Sequence, residues 1–130
     1  MPKSYNEKKY PSLTNYVNAV IEPSKFINYS MDPMNPGNQG KWKAFQMIGF
    51  DVSNINSRRK SAKNIIDQIR DNLSTVPAKP GKLSRYGQRF EVRISITGPN
   101  GRDGTLLTIW QIDRDKENPR LITNWLEVHK

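Results

Sequence analysis

Cysteine is absent from the 130-residue sequence, and histidine occurs only once, as His129. Without cysteine the chain has no disulfide framework and no thiolate metal site. A single histidine next to the C-terminus is a poor basis for a Ser-His-Asp triad or for a mechanism that needs two histidines. Because the carboxylates are not clustered at metal-ligand spacing either, we expect neither a metal nor any other cofactor.

Long apolar runs are also missing. No stretch approaches the ~20 residues that span a bilayer, and the N-terminal segment MPKSYNEKKY lacks the apolar part of a signal peptide. We therefore expect no membrane partner. The glycine-rich segment GPNGRDG, residues 98–104, lacks the Lys-Ser/Thr ending of a phosphate-binding loop, so nucleotide hydrolysis has no support.

Acidic residues are few, with 12 Asp and Glu against 21 Lys and Arg, and the net charge is +9. The excess is concentrated, because residues 56–93 contain ten basic and three acidic side chains. Such clustering is the electrostatic footprint expected of a partner that carries phosphates. The alternative is a solvated basic surface that only aids solubility.

The length suits one domain, and we predict a flexible basic arm over residues 1–12 followed by a single domain over residues 13–130. The apolar residues of TNYVNAVIE predict a short helix that begins after Thr14 and ends before Pro23. The next segment, MDPMNPGNQG, is rich in proline and glycine and is predicted to be a loop.

Two further helices are predicted. In KWKAFQMIGF a helix over residues 41–48 places Trp42, Phe45 and Ile48 on one face, with Gly49 as its cap. A longer helix begins near residue 56 and ends near Leu73. Its apolar residues recur at helical spacing, and basic residues occupy the other side.

The pattern changes to strict alternation in the second half of the chain. RFEVRISITG, TLLTIWQI and RLITNWLEV predict three strands joined by turns, after a Pro/Gly/Lys-rich connector over residues 75–88. Consecutive hairpins form an antiparallel meander. The predicted fold class is therefore α+β, with N-terminal helices packed on one face of a C-terminal antiparallel sheet.

Hydroxyl and indole side chains recur on two of these strands. Thr108 and Trp110 share one face of their strand, as do Thr123 and Trp125. Side by side on a sheet, such residues can bind a phosphate and stack a base. Alternatively, threonine and tryptophan are there because they are good strand formers.

Several short motifs resemble those of an uncharacterised bacterial domain family found at the C-termini of polymorphic and contact-dependent growth inhibition toxins. The resemblance covers roughly residues 25–125. Its pieces are Met31-Asp32-Pro33, Lys41 to Phe45, Gly49-Phe50, Gly98 to Gly101, Thr108-Ile109-Trp110 and Pro119 to Thr123. The order of helices before a meander is similar to that of the barnase, EndoU, colicin and RelE group of ribonucleases.

The resemblance implies a toxin that acts in the bacterial cytoplasm of a target cell after delivery within a larger secreted protein. It implies metal-independent cleavage of RNA, with tRNA as the expected substrate, through attack of a ribose 2′-hydroxyl to give a 2′,3′-cyclic phosphate. A cognate acidic immunity protein is the implied second partner. The histidines of many such nucleases are missing here, although some members use Lys, Arg, Thr and Tyr instead.

Two groups of residues follow from this hypothesis. Arg120 is expected to stabilise the phosphate, because a guanidinium stays charged and bonds two phosphate oxygens at once. The predicted catalytic group is Lys41, Lys43, Thr108, Trp110, Arg120 and Thr123. The predicted nucleic-acid-binding group is Arg58, Arg59, Lys60, Lys63, Arg85 and Arg89.

Two other functions remain open from the sequence. One is a domain that binds nucleic acid without cutting it, and the other is a basic protein-interaction module that meets an acidic partner.

Overall fold

The computed structural model describes residues 10–129, so residues 1–9 of the predicted arm lie outside the described part. Two α-helices precede four strands. The elements are α1 (Trp42–Met47), α2 (Ile55–Asn72), β1 (Ala78–Ser84), β2 (Gly87–Thr97), β3 (Asp103–Asp113) and β4 (Arg120–Val128). Three shorter helical turns occur before α1, at Tyr16–Asn18, Phe26–Ser30 and Pro36–Asn38.

The four strands form one antiparallel sheet in the order β1-β2-β3-β4. This is a meander that follows the helices, and it confirms the predicted α+β fold. Strands β2 and β3 pair without interruption from Gly87 opposite Asp113 to Thr97 opposite Asp103. Between β3 and β4 the register shifts, because Ile109 pairs with Thr123 but the next residue, Trp110, pairs with Leu121. Ile122 is therefore the extra residue of a β-bulge.

The core lies between one face of the sheet and the helices. Strand residues that alternate along the chain point inward and are fully buried, as expected for a sheet covered on one side. They are Val92, Ile94 and Ile96 of β2, Leu106 and Trp110 of β3, and Leu121 and Leu126 of β4. Phe45 of α1 and Ile65 and Ile69 of α2 belong to the same cluster. We call this covered side the inner face and the opposite side the outer face.

Helix α2 begins at a capped end, because the Asn54 side chain accepts a hydrogen bond from the Ser57 amide at 2.9 Å. The buried residues Ala62, Ile65 and Ile69 follow at helical spacing. The prediction of an amphipathic helix near these bounds is confirmed.

Helix α1 ends against the β2–β3 turn. Gly49 follows the helix with φ of +100°, a conformation that favours glycine. The Asn100 amide and side chain donate to the carbonyls of Ile48 and Met47, at 3.3 and 3.1 Å, which have no partner within the helix. A Cβ on Gly98 would overlap the Ile48 carbonyl. This contact joins the Gly-Phe and Gly-Pro-Asn-Gly motifs.

The predicted helix over residues 14–22 is wrong. Only the single turn Tyr16–Asn18 is helical, after which the chain is extended and Val20 pairs with Arg120 in parallel. The Val20 amide donates to the Pro119 carbonyl at 2.8 Å, and the Leu121 amide donates to the Val20 carbonyl at 3.0 Å. Backbone pairing with the edge of β4 therefore replaces the helix that the apolar spacing indicated.

The predicted connector over residues 75–88 contains a strand that the sequence pattern did not reveal. Pro80 and Gly81 favour a loop, yet β1 includes both and pairs with β2. Proline is tolerated here because β1 is an edge strand, on which one row of backbone groups needs no sheet partner.

Candidate active site

Two neighbouring clefts lie beside β4 and share Ile122, the bulged residue. The first, about 530 Å³, lies at one end of the sheet and is lined by Lys82, Ser84, Tyr86, Arg89, Gln111, Asp113, Arg120 and Ile122. The second, about 510 Å³, lies between β4 and the N-terminal segment and is lined by Glu22, Ser24, Lys25, Asn28, Tyr29, Ile122 and Thr123. Bulges often redirect side chains next to functional sites.

The first cleft contains an ordered chain of polar contacts. Arg120 bonds Asp113 through two nitrogens, Nε to Oδ2 at 2.7 Å and Nη2 to Oδ1 at 3.2 Å. Gln111 donates to Asp113 at 2.7 Å and accepts from Arg89 Nε at 3.1 Å. Hydrogen bonds from Arg120 and then Gln111 lower the pKa of Asp113, and the bond to Asp113 raises the pKa of Arg120. Asp113 thus stays ionised and fixes the Arg120 guanidinium.

The charge of the first cleft remains positive. Lys82, Arg89 and Arg120 face a single carboxylate, that of Asp113. Asp113 occupies one edge of the Arg120 guanidinium, and the Nη1 and Nη2 edge can donate to a phosphate. The cleft therefore has the charge and the donor arrangement for an anionic group.

The second cleft adjoins a tyrosine–lysine pair. Lys41 Nζ donates to the Tyr29 hydroxyl at 2.9 Å. The same ammonium lies 4.9 Å from the centre of the Tyr29 ring and 5.4 Å from that of the Trp125 ring. Such distances permit cation–π attraction, so two aromatic rings hold Lys41 in place.

The surroundings lower the pKa of Tyr29. The largest cause is the hydrogen bond from Lys41; burial opposes it, and the charge of Lys41 and the hydroxyl of Thr123 lower the pKa further. Because its pKa is lowered, Tyr29 ionises more readily than an ordinary tyrosine, and its phenolate can accept a proton and later return it. The single histidine, His129, is far from Tyr29 in the sequence.

The loop over residues 31–40 fixes the position of Tyr29. The buried Asn38 side chain donates to the carbonyls of Tyr29 and Asp32, each at 2.7 Å. Asn35 donates to the Asn28 carbonyl at 2.8 Å. The helical turn Phe26–Ser30 is thereby anchored, and Tyr29 projects from it toward Lys41. This loop contains the Met31-Asp32-Pro33 motif, which explains its place near the site.

Three of the predicted catalytic residues lie in this region. Arg120 lines the first cleft, Thr123 lines the second, and Lys41 bonds Tyr29 at the edge of the second. The charge of Glu22, which lines the second cleft, also raises the pKa of Arg120, so the two clefts are electrostatically connected.

Thr108 and Trp110 lie elsewhere, in the core. Both have no exposed surface, and Trp110 Nε1 donates to Thr108 Oγ1 at 2.8 Å, which donates in turn to the Val92 carbonyl at 2.7 Å. They point to the inner face, whereas Thr123 pairs with Ile109 and points outward. The suggestion that they contact RNA is corrected on this ground: neither side chain reaches solvent.

Lys43 and Arg58 line neither cleft. Lys43 lies over the Trp42 ring, with Nζ 5.8 Å from its centre. Arg58 donates to the carbonyls of Ile27 and Val52, at 2.9 and 3.1 Å, and its side chain is only 12% exposed. Arg58 therefore joins α2 to the N-terminal segment and has little surface for a phosphate.

The remaining predicted binding residues divide between two surfaces. Arg59, Lys60 and Lys63 are exposed on α2, which covers the inner face, and Lys63 pairs with Asp67 at 3.0 Å. Arg89 lines the first cleft on the outer face, and Arg85 adjoins it at the β1–β2 turn. The sequence pattern grouped these five residues, but the sheet separates them.

Tyr29 was missed by the sequence prediction. No periodicity or spacing marks it, and tyrosine entered only as a residue type that some related nucleases use. Its one signal is its position in KFINYSMDP, directly before the Met-Asp-Pro motif.

Within residues 10–129, no group of three or more His, Cys, Asp or Glu side chains is arranged to hold a metal ion. No helix in this part of the chain is long and apolar enough to cross a bilayer.

Comparison with solved structures identifies a chain of similar fold. It belongs to the contact-dependent growth inhibition toxin–immunity protein complex from Klebsiella pneumoniae 342, with a TM-score of 0.58 and 17% identity, covering 86% of this chain and 96% of that one. At this identity the likeness shows a common fold. A comparison with curated proteins found no match. The profile of the domain of unknown function DUF6883 matches residues 12–128, and the chain therefore belongs to the DUF6883 family.

Proposed function

We propose that this chain is a bacterial toxin domain that cleaves RNA without a metal ion, with tRNA as the expected substrate. The observation that carries the proposal is the Tyr29–Lys41 pair, in which Lys41 lowers the pKa of the Tyr29 hydroxyl beside Thr123. Tyr29 lines the second cleft, which shares Ile122 with the first cleft, where Arg120 lies. A proton acceptor beside a phosphate-binding cation is the minimum that 2′-hydroxyl attack on phosphorus requires.

Each group has one role in the proposed reaction. The phenolate form of Tyr29 accepts the proton of the ribose 2′-hydroxyl, and the 2′-oxygen forms a bond to phosphorus. The bond from phosphorus to the 5′-oxygen breaks, and the leaving oxygen takes a proton from the Lys41 ammonium. The products are a 2′,3′-cyclic phosphate and a 5′-hydroxyl, so no oxidant or metal is needed.

Arg120 and Thr123 would stabilise the negative charge that develops on the phosphate oxygens. Asp113 engages Nε and one N–H of Nη2, so Arg120 donates to the phosphate through Nη1 and the second N–H of Nη2. Thr123 adds a hydroxyl donor on the neighbouring surface. Fixed donors of this type commonly contribute a factor of roughly 100 to 1,000 each to the rate.

The toxin part of the proposal is supported by the fold. The structural neighbour belongs to a toxin–immunity protein complex, and the chain here has the excess positive charge, +9, that suits an RNA substrate and an acidic immunity protein. The same comparison supports the proposal that the domain is delivered into the cytoplasm of a target cell.

The test of the reaction is incubation of the purified chain with total bacterial RNA in EDTA, followed by a denaturing gel and end-group analysis. We expect discrete fragments with cyclic-phosphate ends. Lys41→Ala should reduce cleavage strongly, whereas Lys43→Ala, a matched lysine two residues along the chain, should leave it nearly unchanged. RNA that stays intact while the folded chain binds it would instead favour the non-catalytic nucleic-acid-binding domain.

The biological role has its own test. Production of the chain in a bacterial host from a tightly repressed promoter should stop growth, and Arg120→Ala should relieve the arrest. Normal growth with the active-site residues intact would contradict the toxin assignment and leave a protein-interaction module, such as an immunity protein, as the better reading.

A further inference from the structure

An exposed tyrosine stands at the rim of the first cleft, outside the reaction described above. Tyr86 lies in the β1–β2 turn, lines the cleft that contains Arg120, and is 62% exposed. The turn consists of Arg85 and Tyr86 between the paired residues Ser84 and Gly87. Two-residue hairpin turns favour Asn, Asp and Gly, so turn geometry does not explain an aromatic residue here.

The backbone holds this turn in a fixed place. The Tyr86 amide donates to Ser84 Oγ at 3.1 Å, and the Tyr86 carbonyl accepts from the Arg114 amide at 3.0 Å. The second bond ties the β1–β2 turn to the turn that follows β3. The ring is thus presented to solvent from an anchored backbone, which lowers the entropy that a ligand must remove on binding.

One side of the ring is occupied by a cation. Arg85 Cζ lies 5.0 Å from the centre of the Tyr86 ring, and Arg85 Nη2 donates to the Tyr86 hydroxyl at 2.9 Å. The guanidinium therefore orients the ring and adds positive charge at the rim. Most of the side chain stays accessible to a second planar group.

Aromatic rings beside phosphate-binding cations are the arrangement that binds single-stranded nucleic acid, because each base can stack while its neighbouring phosphate is neutralised. In the first cleft the cations are Lys82, Arg89 and Arg120. A duplex keeps its bases stacked on one another and cannot use such a ring.

We infer that Tyr86 is a base-stacking residue and that the first cleft takes an unpaired RNA segment, such as a loop, in preference to a duplex. This inference rests on the proposed RNA-binding function of the cleft. It adds a specificity residue, and it assigns the substrate class as single-stranded.

The test uses a probe that cannot be cleaved, a short fluorescein-labelled 2′-O-methyl RNA, as a single strand and annealed to its complement. Fluorescence anisotropy measures both dissociation constants for the full chain. Tyr86→Ala should weaken binding of the single strand roughly tenfold, the loss expected for one base–aromatic stack, and should change duplex binding by less than about twofold.

Three variants sharpen the result. Tyr86→Phe should bind as the wild type does, because the ring is kept. Tyr86→Leu should weaken binding as Tyr86→Ala does, which preserves the test if the alanine variant unfolds. Leu83→Ala is the matched control, since Leu83 is 73% exposed on the same hairpin but does not line the first cleft.

Several outcomes would overturn the inference: a wild-type chain that binds no single strand, a Tyr86→Ala chain that binds it normally, or equal weakening for strand and duplex. The ribonuclease proposal fails separately. Tyr86-dependent binding in a chain that cleaves no RNA would refute cleavage and leave the stacking residue in place.

Discussion

The two basic surfaces of the molecule differ in organisation more than in charge. On α2, Arg59, Lys60 and Lys63 are exposed, and the ion pair of Lys63 with Asp67 joins two exposed side chains. In the first cleft, Arg89 and Arg120 are joined through Gln111 and Asp113 by bonds of 2.7 to 3.2 Å. Exposed single pairs contribute little, whereas oriented networks hold donors where a ligand needs them.

The density of basic residues along the sequence therefore indicates the class of partner, but it does not locate the binding site. In the proposed binding of RNA, residues on α2 would supply a general attraction for the polyanion, and the cleft would supply directed donors. Matched substitutions on the two surfaces test this distinction.

Arginine removal should give the largest contrast. Arg120→Ala should lower the rate of RNA cleavage by about 1,000-fold, because fixed donors to a developing negative charge have effects of this size. Arg59→Ala on α2 should change the rate by less than about twofold. The measurement is the single-turnover rate with saturating protein, and similar losses in both variants would remove the distinction.

The second largest effect on the rate of RNA cleavage is expected from removal of the Tyr29 hydroxyl. Tyr29→Phe should reduce the rate by about 100-fold, as expected for loss of a proton acceptor, while the fold is kept. Since the phenolate is the active form and Lys41 lowers the pKa of Tyr29, the wild-type rate should rise with pH below the ordinary tyrosine range.

Lys41→Ala removes the main cause of that lowered pKa, so the rise should move to higher pH in this variant. Single-turnover rates across neutral to mildly alkaline pH test both statements. A profile that is identical in wild type and Lys41→Ala would contradict the role of the pair.

The free energy of unfolding should depend on Arg58 much more than on its neighbour Arg59 on α2. Arg58→Met should lower the free energy of unfolding by about 1–3 kcal/mol, because the partly buried carbonyl oxygens of Ile27 and Val52 lose their hydrogen bonds from Arg58. Arg59→Met should change it by less than about 0.5 kcal/mol. Urea denaturation of both variants decides the matter, and equal midpoints would show that Arg58 is an ordinary surface residue.

The smallest expected effect is on salt dependence. Arg89→Gln should reduce the slope of log K against log salt for single-stranded RNA by about one, as expected for one lost phosphate contact. Lys60→Gln should leave the slope unchanged if α2 only attracts the RNA from a distance. Titrations at several salt concentrations compare the two. A reduction of about one in both variants would place RNA on both surfaces, and an unchanged slope in Arg89→Gln would contradict a phosphate contact at Arg89.

Much of the fold was predictable because its periodicities are strong. Helix α2 and strands β2, β3 and β4 follow from apolar residues at helical and alternating spacing. Strand β1 was not predictable, since Pro80 and Gly81 favour a loop and only pairing with β2 makes the segment extended. The pairing of Val20 with Arg120 was hidden for the same reason, because it depends on residues far away in the chain.

The site was predictable only in part. Alternation indicates which residues share a face but not which face the helices cover, so Trp110 was placed at the site although it lies in the core. The bulge at Ile122 changes the register within β4 and has no sequence signal of its own. Tyr29 becomes recognisable only when folding brings Lys41 to it.

The pairing of Val20 with β4 affects when the candidate site can assemble during synthesis. Tyr29 and Lys41 are synthesised before Arg120 and Thr123, and Val20 cannot pair until Arg120 has been made. Contacts of such long sequence separation form late. A growing chain on the ribosome therefore cannot assemble the candidate site until β4 has emerged.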